Sequence, residues 1–279
     1  MVGFLHDMLS YPFMVRALIV GTVVALCASL LGVSLVLKRY SMIGDGLSHV
    51  GFGALALATA MNAAPLTIAI PVVVTASFLL LRLSANSKIK GDAAIALIST
   101  GALATGVMIV SMTTGMNTDV NNYLFGSILG MSSSDVNFSL VLSAVVLLLF
   151  VVLYNRIFAI TFDETFARAT GTRSGLFNML IALMSALIIV LGMRMMGALL
   201  ISSLIVFPAL TSMRLCRTFR SVIIHAAMIS VACLWIGIMI SYCYATPTGA
   251  SIVLCHMAAF GLYWLASLLI RTGLSGKRG

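Results

Sequence analysis

Residues 13–39 read FMVRALIVGTVVALCASLLGVSLVLKR, an apolar run interrupted early by a single arginine and followed by two bases. About 20 apolar residues in a helix are enough to cross the roughly 30 Å hydrocarbon core of a bilayer. Two bases directly after such a run are typical of a connection on the cytoplasmic side. The stretch therefore predicts a membrane-spanning helix whose C-terminal end faces the cytoplasm.

The composition of the whole chain agrees with this first segment. Of its 279 residues, 61% are hydrophobic and 8% are charged, whereas a typical soluble domain has about 25% charged residues. We therefore expect an all-α polytopic membrane protein with about eight or nine transmembrane helices, in one transmembrane domain over residues 1–279. Nine candidate segments are predicted near 13–37, 43–62, 65–83, 92–113, 137–155, 175–193, 196–213, 221–244 and 249–270.

The basic residues indicate a topology and argue against one class of partner. The formal charge is +9, but the bases are scattered between the apolar segments instead of gathering on one face, as a nucleic-acid partner would require. If the N-terminus lies outside and the nine segments alternate, the main basic connections all face the cytoplasm. Arg16 and Arg194 are then the exceptions.

Asp45 and His49 are the polar residues that most need a reason. They are four residues apart at the start of the second apolar segment, so a helix places them on one face. An ionisable group inside a span is costly and usually marks an ion or substrate path. The alternative is an interfacial position, in which Asp45 caps the helix and His49 bonds to a neighbouring carbonyl. The spacing alone leaves both interpretations open.

The chemistry of this pair favours one class of ion. Carboxylate and imidazole suit Zn²⁺, Mn²⁺ or Fe²⁺ better than alkali ions. A closed structural zinc site has four ligands, so two residues need completion by water, by another span or by their own copy across a two-fold axis. We expect a symmetric dimer to bring two such pairs to one axial site.

Other potential ligands are less specific. His256 lies in the last apolar segment and is either a secondary metal ligand or a hydrogen-bonding residue between helices. The five cysteines include no C-x-x-C pair, so we expect neither a disulfide framework nor a thiolate metal site. Arg194 is expected to reach the lipid headgroups or to line the outer mouth.

Two segments between spans have unusual patterns. In ITFDETFARATGTRSG, residues 160–175, Asp163 and Glu164 open a predicted amphipathic helix that Gly171 ends. Its exposed apolar side, which includes Phe162 and Phe166, needs a protein partner, because the acids disfavour anionic lipid. Residues 117–135 are too polar to span and are predicted as a short helix on the outer side.

Six separated blocks resemble a known family. They read RYSMIGDGLSHVGFGALAL, KIKGDAAIALISTGALATGV, YLFGSILGMSSSDV, FDETFARATG, GALLISSLIVFPALTS and PTGASIVL, in this order. In residues and spacing they resemble the permease subunits of ABC importers for zinc, manganese and iron. Gly46, which follows Asp45, resembles the zinc-type members more closely than the manganese-type ones.

The resemblance implies a function and a set of partners. It implies a homodimeric permease in a bacterial plasma membrane, with a cytosolic ATP-binding subunit and an extracytoplasmic metal-binding protein. It assigns Asp45 and His49 to the metal path, with a transported ion, Zn²⁺ or else Mn²⁺ or Fe²⁺, and no permanently bound cofactor. It also makes the segment near 160–175 a coupling helix, whose residues for contact with the ATPase are Phe162, Asp163, Glu164, Phe166, Ala167 and Gly171.

Two other classes of protein fit the sequence less well. A proton- or sodium-coupled carrier usually has several acids deep in its spans, whereas this chain offers Asp45 and, at the start of a span, Asp92. An intramembrane enzyme needs a catalytic set such as H-E-x-x-H, which is absent from the sequence. The chain also has no G-x-x-x-x-G-K-[ST] loop, so we expect ATP hydrolysis in a separate subunit.

Overall fold

A computed structural model describes residues 10–86, 91–113 and 133–275, and every regular element in these ranges is a helix. The predicted all-α class is confirmed. The helices are α1 Pro12–Leu37, α2 Ser41–Ala60, α3 Pro65–Asn86, α4 Gly91–Thr113, α5 Ser133–Val152, α6 Tyr154–Phe162, α7 Glu164–Ala169, α8 Ser174–Met196, α9 Ala198–Ser212, α10 Phe219–Tyr244 and α11 Thr248–Ser275.

Each of the nine predicted apolar segments corresponds to a helix in the part of the chain that the structure describes. Seven of these helices are long and apolar enough to cross a membrane. The two others are α2, whose hydropathy is lowered by the polar residues of GDGLSH, and α9, which has only 15 residues. The chain is therefore a multi-pass membrane protein in which two helices depend on their neighbours for burial.

The helices differ sharply in how much of their surface is covered. In an apolar 18-residue stretch of α1, 72% of the residues are buried, against 11% in the corresponding stretch of α11. Around α1 pack α8, α9 and α10, and α2 packs against α3, α4 and α9. The exposed faces of the outer helices remain apolar, as lipid contact requires.

Glycine allows two of these packings to be unusually close. A methyl group on Gly32 of α1 would lie 2.0 Å from the carbonyl oxygen of Ile205 on α9, and one on Gly53 of α2 would lie 2.8 Å from that of Ala102 on α4. Backbones in membrane bundles approach this closely only where side chains are absent. Glycine therefore determines how near α1 and α2 come to their partners.

A tight turn joins α1 to α2. The amide of Tyr40 donates to the carbonyl of Leu35 at 2.8 Å, and the amide of Arg39 donates to that of Val36 at 3.0 Å. This is the Schellman arrangement of a helix C-terminus, with Arg39 in the left-handed region at φ 63°. The turn leaves only residues 38–40 between the two helices.

The helix predicted to open at Asp163 and Glu164 is α7, and a break at Asp163 separates it from α6. Asp163 has extended backbone, with φ −146° and ψ 93°, so α6 ends at Phe162 and α7 begins at Glu164. The side chain of Asp163 satisfies the new helix start, which is why a break is stable here. Most of the predicted outer helix at 117–135 lies outside the described residues, and residues 133–135 begin α5.

Candidate metal site

Asp45 and His49 lie on one face of α2, as their spacing predicts. His49 Nε2 is 3.6 Å from Asp45 Oδ2, and the side chains are 24% and 48% exposed, respectively. Metal–ligand bonds of about 2.0–2.2 Å allow two donors at this separation to contact one ion. The separation therefore allows both side chains to contact one divalent cation, and the carboxylate is accessible.

A third polar residue, Ser202, reaches this pair from α9. Its hydroxyl donates to Asp45 Oδ1 at 3.4 Å and lies 3.4 Å from the hydroxyl of Ser48. Its single proton is shared with the carbonyl of Ala198 one turn earlier, at 3.1 Å. Gly197, at φ 89°, ends α8 and lets α9 begin immediately, which brings Ser202 to α2. Sequence reasoning missed Ser202, because its contact spans 157 residues.

The pair lacks a full set of protein ligands within one chain. Among the described residues, no group of three or more His, Cys, Asp or Glu side chains is arranged to hold a metal. His49 Nδ1 is buried and has no hydrogen-bond partner among the residues that the structure describes. An ion at this position would need ligands from water or from another chain.

His256 is buried on α11 and lies apart from the pair. Its side chain is in contact with the protein interior, with the residue 1% exposed, and neither ring nitrogen has a hydrogen-bond partner among the described residues. Its helix packs against α9 and α10. The structure therefore does not join His256 with Asp45 and His49 into one ligand group, and its role as a secondary ligand stays a prediction.

The short helix α7 has well-defined ends. Asp163 Oδ1 accepts a hydrogen bond from the amide of Phe166 at 2.9 Å. At the other end, the amide of Gly171 donates to the carbonyl of Arg168 and that of Thr172 donates to the carbonyl of Ala167. Gly171 has φ 84°, a conformation that glycine adopts without strain. These caps make a six-residue helix a fixed feature.

The predicted coupling residues divide into exposed and buried ones. Phe166 is 64% exposed and Phe162 is 59% exposed, although Phe162 belongs to α6 and its ring lies 5.7 Å from that of Phe219. Ala167 is 1% exposed and faces the rest of the protein. The helix thus presents an aromatic side outward and an alanine inward.

Glu164 holds α7 to the membrane helices. Its carboxylate is 3.4 Å from Lys38 Nζ, accepts from Asn178 Nδ2 at 3.1 Å and accepts from Arg168 Nη2 at 2.6 Å. Burial acts to raise the pKa of Glu164, but the hydrogen bond from Asn178, the charge of Lys38 and the hydrogen bond from Arg168 outweigh it. The pKa therefore lies below its usual value.

Arg194 has a protein partner, an ion pair that neither expectation from the sequence, contact with lipid headgroups or lining of the outer mouth, includes. Its Nη2 is 2.9 Å from Asp135 Oδ2, which joins the end of α8 to the first turn of α5. The two side chains are 28% and 23% exposed. A partly buried ion pair of this kind needs both partners, and their separation of 59 residues hides it from local sequence patterns.

Comparison with known proteins identifies the family. The model of the ABC 3 transport family matches residues 10–267. The chain belongs to the ABC 3 transport family. The match extends from the start of α1 almost to the end of α11, so it includes the Asp45–His49 pair and α7.

Members of the ABC 3 transport family named for different metals are similarly related to this chain. Over 95% of it, the chain is 28% identical to the "Manganese transport system membrane protein MntC" of Halalkalibacterium halodurans, covering 90% of that protein. Two Haemophilus influenzae proteins are also similar. A "Probable iron transport system membrane protein" is 31% identical, with coverages of 93% and 96%, and the "High-affinity zinc uptake system membrane protein ZnuB" is 27% identical, with coverages of 90% and 97%.

A solved structure has the same fold as this ABC 3 family chain. It is described as "PsaBC from Streptococcus pneumoniae in complex with Fab" and gives a TM-score of 0.85 at 27% identity, covering 94% of this chain and 95% of that one. The resemblance drawn from the six sequence blocks is thereby confirmed at the level of family and fold. The relatives are named for manganese, iron and zinc, so the predicted preference for zinc is not established.

Proposed function

We propose that this chain is the membrane-spanning permease subunit of an ATP-driven importer for divalent transition-metal ions. The observation that carries the proposal is the Asp45–His49 pair, which offers a carboxylate and an imidazole 3.6 Å apart on one helix. The similarity to permeases named for manganese, iron and zinc transport supports the same class of cargo. Residues 1–279 form a single permease domain in a bacterial plasma membrane.

Zn²⁺ is the preferred cargo in this proposal, and Mn²⁺ and Fe²⁺ are the alternatives. Imidazole suits Zn²⁺ and Fe²⁺ as a ligand, whereas Mn²⁺ is better matched by oxygen ligands, and Gly46 after Asp45 resembles the zinc-type members of the family. The extracytoplasmic metal-binding protein adds its own selection before the ion reaches the permease. The choice of metal thus depends on two successive sites.

The mechanism is alternating access in a homodimer. Asp45 and His49 of each copy face a shared axial pore, where they hold the ion briefly while water completes its shell. Ser202 orients the Asp45 carboxylate. Coordination must remain weak, because an ion held as firmly as in a closed structural zinc site would not be released.

ATP hydrolysis takes place in a separate cytosolic subunit. The exposed ring of Phe166 and the capped ends of α7 make this helix the element that fits a cleft of that subunit. Movement there opens the pore alternately to the outer side, where the metal-binding protein docks, and to the cytoplasm. Lipid covers the exposed faces of the outer helices.

Metal uptake by reconstituted vesicles tests the proposed function. The permease is purified with the ATPase that accompanies it, and ATP-dependent uptake of Zn²⁺, Mn²⁺ and Fe²⁺ is compared. We expect uptake of all three to require ATP, with Zn²⁺ fastest at equal free concentration. A permease that purifies without any ATPase, or that transports without ATP, would contradict the proposal.

Substitution of the pair tests the site. We expect Asp45→Ala and His49→Ala each to lower uptake by more than the roughly 100-fold upper limit typical for loss of an outer-shell partner, with ATPase assembly unchanged. His225→Ala is the control, because Nδ1 of His225 contacts the carbonyl of Ser221 on its own helix. Wild-type uptake in both site variants would remove the pair from the path.

A further inference from the structure

An ion-paired cluster joins α7 to the end of α1. Besides its contact with Glu164, the Lys38 ammonium donates to Asn178 Oδ1 on α8. Arg168 completes the cluster by donating to Ser174 Oγ at 2.6 Å as well as to Glu164. One carboxylate therefore receives groups from the three helical regions at this end of the molecule.

Burial makes Lys38 dependent on Glu164. The Lys38 side chain is only 9% exposed, whereas that of Arg168, the other cation on this carboxylate, is 66% exposed. An exposed cation is solvated whether or not it is paired, but a buried one that loses its counter-ion is left with a large desolvation penalty. When Glu164 moves, Lys38 must follow it or become an unpaired buried charge.

Only a short turn connects Lys38 to α2, the helix that carries Asp45 and His49. The turn at Arg39 leaves no flexible residues between α1 and α2. The hydrogen bonds of α2 begin directly after it, since the amide of Ile43 donates to the carbonyl of Tyr40 at 3.0 Å. Asp45 is the fifth residue of α2. A displacement of the Lys38 backbone therefore reaches the Asp45 side of α2 through little more than one helical turn.

We propose that Lys38 and Glu164 are positioning residues that transmit the movement of α7 to Asp45. This inference rests on the proposed function and adds a route to it. Movement of α7 acts on Lys38 through Glu164. Lys38 then shifts the start of α2, and the Asp45–His49 pair moves with it. Asn178 keeps the ammonium and the carboxylate aligned during the movement. The link sits on the cytoplasmic side of the pair and takes no part in binding the ion.

A purely structural role for the cluster would give a different experimental result from a transmitting role. If Lys38 and Glu164 only hold the fold together, their loss lowers the amount of assembled complex, and ATP hydrolysis and metal uptake fall in proportion. A transmitting role makes the complex that does assemble hydrolyse more ATP for each ion that it moves. The number of ATP molecules hydrolysed per ion transported separates the two.

The experiment measures this ratio in reconstituted wild-type and variant complexes with Zn²⁺. Lys38→Met removes the buried charge, and Glu164→Gln removes the opposite charge from the other helix. Arg173→Met is the matched control, since Arg173 is an exposed cation one residue before Ser174 and its side chain makes no cap hydrogen bond. The double variant Lys38→Met/Glu164→Gln completes a cycle.

We expect each single variant to raise the ATP-to-ion ratio between about twofold and thirtyfold, the range that residues along a coupling route usually give. The double variant should match the stronger single variant, because both break one link, and Arg173→Met should match the wild type. Wild-type ratios in both single variants, or a proportional loss of hydrolysis and uptake, would overturn this inference alone. A wild-type complex that hydrolyses ATP without moving metal would overturn the proposed function as well.

Discussion

At the scale of single residues, the candidate site combines side chains from two helices. Asp45 and His49 come from α2, and Ser202 of α9 contacts the carboxylate oxygen that faces away from the imidazole. We expect a hydroxyl in this position to limit the rotation of the carboxylate and so to keep Oδ2 directed toward His49. Partners of this kind commonly tune a metal ligand without touching the ion.

Ser202→Ala tests this positioning. We expect it to lower the apparent affinity for transported Zn²⁺ by roughly tenfold, at the lower end of the range for outer-shell partners, because the Asp45 carboxylate becomes free to turn. Ser203→Ala is the control, since Ser203 donates to the carbonyl of Leu200 on its own helix. Uptake measured against free Zn²⁺ concentration distinguishes them, and equal curves for the two variants would contradict the role of Ser202.

Glu164 makes the stability of the protein depend on pH in a defined direction. A carboxyl whose pKa is depressed in the folded state contributes stability above its unfolded pKa and loses it as the pH falls through the folded pKa. For Glu164 this window lies below the ordinary value of 4.5. We expect the thermal stability of the wild type to exceed that of Glu164→Gln at pH 6 to 7 by an amount that shrinks as the pH falls below about 4.5. A constant difference down to the acid limit would contradict the assignment.

Local spacing explains which of these residues could be predicted. Asp45 and His49 are one helical turn apart, so their side of the helix follows from periodicity alone. Ser202, the Lys38–Glu164 pair and the Arg194–Asp135 pair join residues that are far apart in the sequence, and nothing local distinguishes them. The sequence therefore predicts the candidate ligands but not the contacts that surround them.

At the scale of elements, glycine decides how the helices around the site meet. Gly32 lets α1 touch the backbone of α9 at Ile205, three residues after Ser202. The position of α9 relative to α2, and hence the reach of Ser202, depends on this approach. Hydropathy predicts that such helices exist but carries no information about how closely they pack.

Gly32→Ala tests the close approach. The added methyl group would lie 2.0 Å from a backbone oxygen that no side-chain rotation can move. We expect a loss of at least 1–3 kcal/mol in the free energy of unfolding, the usual cost of overpacking, measured by denaturant titration in detergent. Gly101→Ala is the control, because a methyl group there meets nothing within 4 Å and alanine favours the helix by about 0.5–1 kcal/mol. Equal stabilities would contradict the contact.

The break at Asp163, between α6 and α7, shows a different limit of sequence reasoning. Asp163 and Glu164 correctly predict where a helix starts, because acids favour the first turn. The preceding apolar residues of α6 continue the same helical period, however, so the break between Phe162 and Glu164 is not visible in the hydropathy. Its cause is the side-chain cap, which replaces the backbone hydrogen bonds lost at the break.

At the scale of the whole molecule, one chain holds half of the proposed site. Two protein ligands fall short of the three that catalytic zinc sites use and the four of structural ones. A two-fold axis beside α2 would supply the same two ligands again. The proposed homodimer would thus supply the ligands that a single chain lacks.

The number of bound ions per chain tests the dimeric site. We expect the purified complex to contain two permease chains by native mass spectrometry and to bind one Zn²⁺ per two chains in equilibrium dialysis, with Asp45→Ala abolishing the binding. One ion for each chain, or a transporting complex with a single permease chain, would contradict the shared site.

The shortness of α9 has a consequence for the energy that drives the ion. Its 15 residues extend about 22 Å even when upright, whereas the hydrocarbon core is about 30 Å thick. We therefore expect at least one end of α9 to stop inside the bilayer, where its free backbone groups need water or protein. Where water fills the space at that end, the transmembrane voltage would drop over a thinner layer near α9 than elsewhere. The voltage is worth about 2.3 kcal/mol per charge for each 100 mV whatever the thickness, so a doubly charged ion would gain the same energy over a shorter distance.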